Sequence, residues 1–231
     1  MTANVAASNA CPLTIDVDRT TRVSALLLVP PHPTACFVFA HGAGAGMAHP
    51  FMAAAAQGLA ARGIASLRYQ FPYMERRSKR VDPPKVAHAA VRAAVAEARR
   101  QLPDLPLIAG GKSFGARMTS QAQALAPLDG VVGLAFLGFP LHPPGRPSRE
   151  RGEHLADVKI PMLFLQGTRD EFAALSELEP AVKALGSRAT LKLFADADHS
   201  LHVPARSGRK DADVRAEMLD AFAAWIAQLI D

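Results

Sequence analysis

Short runs such as Cys36–Ala40 and Val131–Leu137 are apolar from end to end, and they alternate with longer stretches of helical character. A strand with no polar side must be buried on both faces, which is the situation of a parallel sheet covered by helices. Regular alternation of such strands with helices specifies an α/β architecture. The expected strands are Leu13–Val17, Val23–Val29, Cys36–Ala40, Ile64–Tyr69, Leu105–Ala109, Val131–Leu137, Pro161–Leu165 and Thr190–Phe194. The first two are separated only by the turn-like Asp18-Arg19-Thr20-Thr21, so they are expected to form an antiparallel edge. The rest should make a mostly parallel sheet of about eight strands with helices on both faces.

The expected helices are Pro50–Arg62, closed by Gly63, then Pro84–Gln101, Phe114–Leu125, Ala174–Leu185 and Asp211–Ile230. In Pro84–Gln101 the apolar positions Val86, Ala90, Val91, Ala94, Val95 and Ala98 follow helical spacing, and Pro83-Pro84 suits a helix start. Pro180 should kink or break Ala174–Leu185. Leu141–Glu150 is rich in Pro and Arg and reads as a loop. A length of 231 residues suits one domain over 1–231, and no internal repeat or long linker divides it. The net charge of +5 is spread over several short basic groups, which gives no reason to expect nucleic acid as a partner. Two cysteines, Cys11 and Cys36, make no disulfide framework and fit a reducing compartment. Residues 1–10 lack the features of a signal peptide, and no apolar run has membrane-spanning length, so a cytoplasmic protein is expected.

In an open α/β sheet, ligands bind at the carboxyl ends of the strands. Four strand ends carry polar signatures: His41-Gly42-Ala43-Gly44, Gly111-Lys112-Ser113-Phe114-Gly115, Asp170 and His199. The second matches G-x-S-x-G, a tight strand-to-helix turn that thrusts a serine outward and needs small neighbours on both sides. Gly111-Lys112-Ser113 also looks like the tail of a phosphate-binding loop, but that loop needs a glycine where Pro106 stands. Gly42-Ala43-Gly44 similarly begins a dinucleotide fingerprint whose last glycine is replaced by Met47.

Serine is a weak nucleophile without a base and a group to orient that base. Asp170 and His199 follow later strands in the order serine, acid, histidine that accompanies this elbow. Asp196 and Asp198 stand too close to His199, and Glu171 is a substitute neighbour of Asp170. The loop at His41–Gly44 lies where backbone N–H groups would hold a developing oxyanion, with Ala43 and Phe114 as the expected donors. His41 should brace that loop. His142 and Met74 are candidates for the substrate pocket, and the basic group Arg76, Arg77, Lys79 and Arg80 could favour anionic substrates. No residue pattern suggests a metal or another cofactor.

Together these segments resemble the α/β-hydrolase superfamily over nearly the whole chain. More narrowly they resemble its small lidless dienelactone-hydrolase-like members, nearest the testis-expressed hydrolase-like proteins and the hydrolase-like domain of an animal histone-acetyltransferase complex subunit. The narrower likeness lies in Phe39–Gly44, Tyr69–Glu75, Gly110–Met118, Leu137–Gly145 and Leu165–Asp170. The resemblance implies Ser113, Asp170 and His199 as a triad but supplies no substrate. The serine chemistry leads us to expect a hydrolase of carboxylic esters, thioesters or related acyl bonds of a small-molecule substrate, working through a covalent acyl-enzyme. The resemblance also implies a minimal cap, because the Leu137–Pro161 stretch is short. Dienelactone hydrolases proper carry cysteine at the elbow, so their substrate does not transfer to Ser113. Some animal relatives act as interaction domains, which is the alternative expectation.

Overall fold

A computed structural model describes residues 10–230; most of the stretch read for a signal peptide lies outside them. Eight strands form one sheet: β1 (Cys11–Asp16), β2 (Arg22–Leu28), β3 (Ala35–Ala40), β4 (Ile64–Tyr69), β5 (Leu107–Lys112), β6 (Val131–Leu137), β7 (Met162–Gly167) and β8 (Ala189–Phe194). Their order across the sheet is β1-β2-β4-β3-β5-β6-β7-β8. β1 and β2 pair antiparallel, as does β2 with β4, and every remaining pair is parallel.

The helices are α1 (Pro50–Ala60), α2 (Pro72–Glu75), α3 (Pro84–Gln101), α4 (Phe114–Leu125), α5 (Leu175–Ala184) and α6 (Asp211–Ile230). One apolar cluster joins α1 and α6 to Phe37, Phe39, Leu163 and Leu165. A second joins α3, α4 and α5 to Val38, Leu134, Phe136 and Phe164 on the opposite side of the strands. Alternate residues of one strand thus enter different cores, which is why those strands have no polar face.

Three local expectations are corrected. Ala87, rather than Val86, begins the buried face of α3, and Val86 is exposed. The face is built mainly of alanine, which marks helical phase weakly. α5 runs through Pro180 without a break. β5 extends beyond Ala109 through Gly110-Gly111-Lys112, pairing with Ala135, Phe136 and Leu137, so the serine turn starts directly from a hydrogen-bonded strand. Between β6 and β7 stands only a connection containing a 3₁₀ helix, Glu150–Asp157, and no cap domain.

β3 lies between β4 and β5, so the chain leaves β3 toward one side of the sheet and later returns on its other side. The crevice where connections diverge lies at the carboxyl ends of β3 and β5. The 41–49 loop and the Ser113 turn both start there.

Candidate active site

Ser113 sits between β5 and α4 with φ 51° and ψ −112°, a left-handed backbone that few side-chain-bearing residues adopt. Its flanking glycines explain how the turn closes. A Cβ on Gly111 would lie 2.3 Å from the Ala40 carbonyl oxygen, and one on Gly115 would lie 2.6 Å from the same atom. Both therefore let the turn press onto the end of β3.

Three side chains from different strand ends meet at this turn. His199 Nε2 is 2.8 Å from Ser113 Oγ, and His199 Nδ1 is 2.7 Å from Asp170 Oδ2. Asp170 is buried and receives two further hydrogen bonds: the Phe172 N–H donates to Oδ1 at 2.8 Å, and Gln166 Nε2 donates to Oδ2 at 2.5 Å. Glu171 is exposed and makes no bond to His199. Phe172 lies against the His199 ring, centroids 4.4 Å apart. Asp198 shapes the histidine loop, accepting from the Ser200 and His202 N–H groups at 2.7 and 3.0 Å.

Across from the elbow, the 41–49 loop is held by the segment that follows β4. His41 is fully buried, and its Nε2 accepts from the Phe71 N–H at 3.0 Å. Its other nitrogen, 2.8 Å from the Gly42 carbonyl oxygen, must then carry the proton. Burial pushes this imidazole down to about 4, so it stays neutral. The Gly44 N–H donates to Tyr73 Oη at 2.9 Å, and the Met47 N–H donates to Gln70 Oε1 at 2.8 Å. Among the described residues, neither the Ala43 N–H nor the Phe114 N–H donates to a protein acceptor. Phe114 is the first residue of α4, where N–H groups have no partner within the helix and the helix dipole favours negative charge.

A cavity of about 350 Å³ opens beside Ser113. Ala45, Phe51, Met52 and Phe172 give it an apolar wall, with His49, Lys112, His199 and Ser200 also on its surface. His142 is not on that surface. It is buried elsewhere, with Nε2 accepting from the Ala174 N–H at 2.9 Å and Nδ1 2.8 Å from the Pro143 carbonyl oxygen. Met74 is also outside the cavity, its Cε packed against Gly46. Arg76 is tied by a 2.7 Å ion pair to the buried carboxylate of Asp82, which also accepts from the Tyr73 N–H. It braces the segment behind the loop instead of lining the cavity. Sequence reasoning assigned no role to Gln166, Tyr73, Phe172 or Lys112, although Gln166, Tyr73 and Lys112 stood within segments already singled out.

The α/β-hydrolase domain model matches residues 33–227. The chain belongs to the α/β-hydrolase family. Among solved structures, this hydrolase is similar to the dienelactone hydrolase of Anabaena variabilis, with TM-score 0.76 and 18% identity over 97% of this chain and 100% of that one. It is also similar to a lidless α/β serine hydrolase from Xanthomonas campestris, with TM-score 0.73 and 23% identity over 94% and 95%. A serine hydrolase homologue from Coxiella burnetii gives TM-score 0.72 and 16% identity over 91% and 96%. These likenesses concern the fold, and they agree with the absence of a cap domain between β6 and β7. Among the described residues, no helix is long and apolar enough to cross a membrane.

Proposed function

We propose that this α/β-hydrolase cleaves carboxylic esters, thioesters or related acyl bonds of small molecules by a Ser-His-Asp mechanism. The observation that carries this reading is the unbroken chain from Ser113 Oγ to His199 at 2.8 Å and on to Asp170 at 2.7 Å. In this mechanism Ser113 Oγ attacks the acyl carbon while His199 Nε2 takes its proton. Asp170 holds the imidazole in the tautomer that leaves Nε2 free and stabilises the imidazolium that forms. The carbonyl oxygen becomes an oxyanion, and the N–H groups of Ala43 and Phe114 donate to it. His199 then protonates the leaving group, giving an acyl-Ser113 ester, and water activated by the same histidine hydrolyses it.

The apolar wall of the cavity suits an uncharged acyl group. With Arg76 committed to Asp82, an anionic substrate has less support from the residues around the site. We further read the chain as one hydrolase domain of the lidless dienelactone-hydrolase-like group, nearest its testis-expressed branch on the five segments quoted above.

A fluorophosphonate probe should label the protein at Ser113, and short p-nitrophenyl esters should be turned over. Ser113→Ala should abolish labelling and reduce kcat by about 10⁴-fold or more. Undiminished turnover by that variant would overturn the mechanism. Inertness of the wild-type protein toward both probe and esters would favour a non-catalytic interaction domain.

A further inference from the structure

Lys112 carries a charge that the Ser113–His199–Asp170 chain does not use. It immediately precedes the serine, yet its side chain does not turn outward to water as lysines usually do. Its Cγ passes the 41–49 loop, where a Cβ on Gly42 would lie 3.5 Å away. Its ammonium ends at Gly138, just after β6, where a Cβ would lie 2.9 Å from Nζ. That same Cβ would lie 3.3 Å from the His199 carbonyl oxygen and 3.4 Å from His199 Cε1. Gly42 and Gly138 thus leave a passage, and Lys112 occupies it. At the end of the passage Lys112 Nζ donates a hydrogen bond to the His199 carbonyl oxygen.

The bond joins two parts of the site that the sequence separates widely. Asp170 fixes the imidazole through Nδ1, and Phe172 lies against its face. Neither bond nor stacking holds the His199 main chain. The loop around it is made of turns, with Asp196 and Leu201 both at positive φ. Lys112 ties that main chain directly to the residue beside the nucleophile. We propose, on the hydrolase reading above, that Lys112 is a positioning residue: its ammonium clamps the His199 backbone to the elbow and so aligns Nε2 with Ser113 Oγ.

The charge gives the clamp a pH signature. Among the described residues Lys112 makes no ion pair; Asp170 and Asp198 are the carboxylates whose fields reach it, and His199 and His49 are the titratable groups on the cavity surface it shares. Loss of water around the ammonium pushes Lys112 down to about 8, with the two carboxylates opposing the shift. A neutral amine donates a weaker hydrogen bond than an ammonium. Activity should therefore fall on an alkaline limb near pH 8, separate from the acid limb that any histidine base produces.

The test uses wild type, Lys112→Met and Lys112→Arg, with kcat and KM for p-nitrophenyl butyrate measured from pH 6 to 9.5 and thermal melts as a folding control. Lys112→Met should lose roughly tenfold to a hundredfold in kcat, the scale of a small misalignment, with KM nearly unchanged. Its residual activity should show no alkaline limb. Lys112→Arg keeps a permanent donor, so it should retain more activity than Lys112→Met and also lack the limb. A Lys112→Met enzyme with wild-type kcat and pH profile would overturn the assignment. If that variant does not fold, a folded Lys112→Arg enzyme that keeps the wild-type alkaline limb would do so. Fluorophosphonate labelling of the wild-type protein separates the two readings. With labelling intact, unaffected Lys112 variants remove only the clamp; without labelling or turnover, the hydrolase reading itself falls.

Discussion

Gln166 Nε2 and His199 Nδ1 share one acceptor, Asp170 Oδ2, at 2.5 and 2.7 Å. The amide cannot turn around, because Gln166 Oε1 accepts from the Phe139 N–H at 2.8 Å. Gln166 is fully buried near the end of β7, so it fixes the carboxylate from the strand instead of from a loop. The orientation of the imidazole therefore depends on a side chain that touches neither serine nor substrate.

Replacing Gln166 with Leu should lower kcat about tenfold, the worth of a hydrogen bond to a charged acceptor when it is fully expressed in the transition state. KM should change little. The variant also strands the Phe139 N–H, so its melting temperature should fall together with kcat. Steady-state kinetics and a thermal melt check both. Unchanged kcat in a folded Gln166→Leu protein would show that Asp170 is held well enough by the Phe172 N–H alone.

The two glycines of the elbow test packing separately from chemistry. Gly115→Ala places a methyl 2.6 Å from the Ala40 carbonyl oxygen and 2.7 Å from Ala40 C and Cβ. All but one of these are backbone atoms of a central strand, which cannot move aside as a flexible side chain would. Overpacking of this kind costs about 1–3 kcal/mol. In a chain of this size each kcal/mol lowers Tm by roughly 2–4 °C. Differential scanning calorimetry of Gly115→Ala should show that loss even with an inhibitor-blocked serine, since the collision exists without substrate.

Acid should destabilise the fold through His41. In the unfolded chain a histidine takes its second proton near its ordinary value of about 6.5. In the folded protein Nε2 is occupied by the Phe71 N–H and burial holds the group down to about 4. The unfolded state thus binds more protons between those values. The contribution is complete above pH 6.5 and is lost as pH falls toward 4, at about 1.4 kcal/mol per unit. His154, pushed down to about 4 by burial and by Arg117 and His88 nearby, adds a share of the same sign. Urea unfolding at pH 7, 6 and 5 should show the decline, and His41→Gln should make it shallower. An identical slope in that variant would mean that other groups carry the acid sensitivity.

Much of this site could be read in advance because its main residues punctuate strands. The glycines around Ser113 interrupt apolar runs, and Asp170 and His199 follow strand ends in a fixed order. What escaped reading depends on which way a side chain turns after the strand ends. His142 and Met74 stand in the right segments, yet one caps the Ala174 N–H and the other packs on Gly46. Arg76 reads as part of a basic group that could favour anionic substrates, but it is paired with the buried Asp82, and no local pattern marks that pairing. Arg68 gave no warning either: it lies in a wholly buried strand, and its Nη1 donates to the Met47 carbonyl oxygen. Such pairings join separate segments and leave no local periodicity.

Tyr73 offers a test of the opposite wall of the site. Its hydroxyl accepts from the Gly44 N–H, one residue beyond the proposed donor Ala43, and its own N–H is held by Asp82. Tyr73→Phe removes that acceptor while keeping the ring against Phe114. One hydrogen bond is worth about 1 kcal/mol net, or roughly fivefold in rate if it acts wholly through the oxyanion loop. The expected result is a kcat lowered by about that factor, with fluorophosphonate labelling slowed in parallel. A loss in stability with no change in either rate would confine Tyr73 to the fold.

The acyl group should lie along Ala45, Phe51 and Met52, since they line the cavity beside Ser113 on the α1 side. Burying each added methylene of an acyl chain is worth about 0.8 kcal/mol, or roughly fourfold in kcat/KM. A p-nitrophenyl ester series should therefore rise with chain length until the roughly 350 Å³ cavity is filled, and then level or fall. Ala45→Phe should move that maximum to shorter chains, because the new ring takes up space that the acyl tail would use. Hydrolysis of the acetate should be nearly unaffected, since a two-carbon acyl group need not extend along that wall. The contrast between acetate and longer esters separates a steric effect from damage to the neighbouring Ala43 loop, which would slow every ester alike. A flat chain-length series for the wild type would mean that the acyl tail leaves the site toward solvent and that the leaving group, instead, meets the apolar wall.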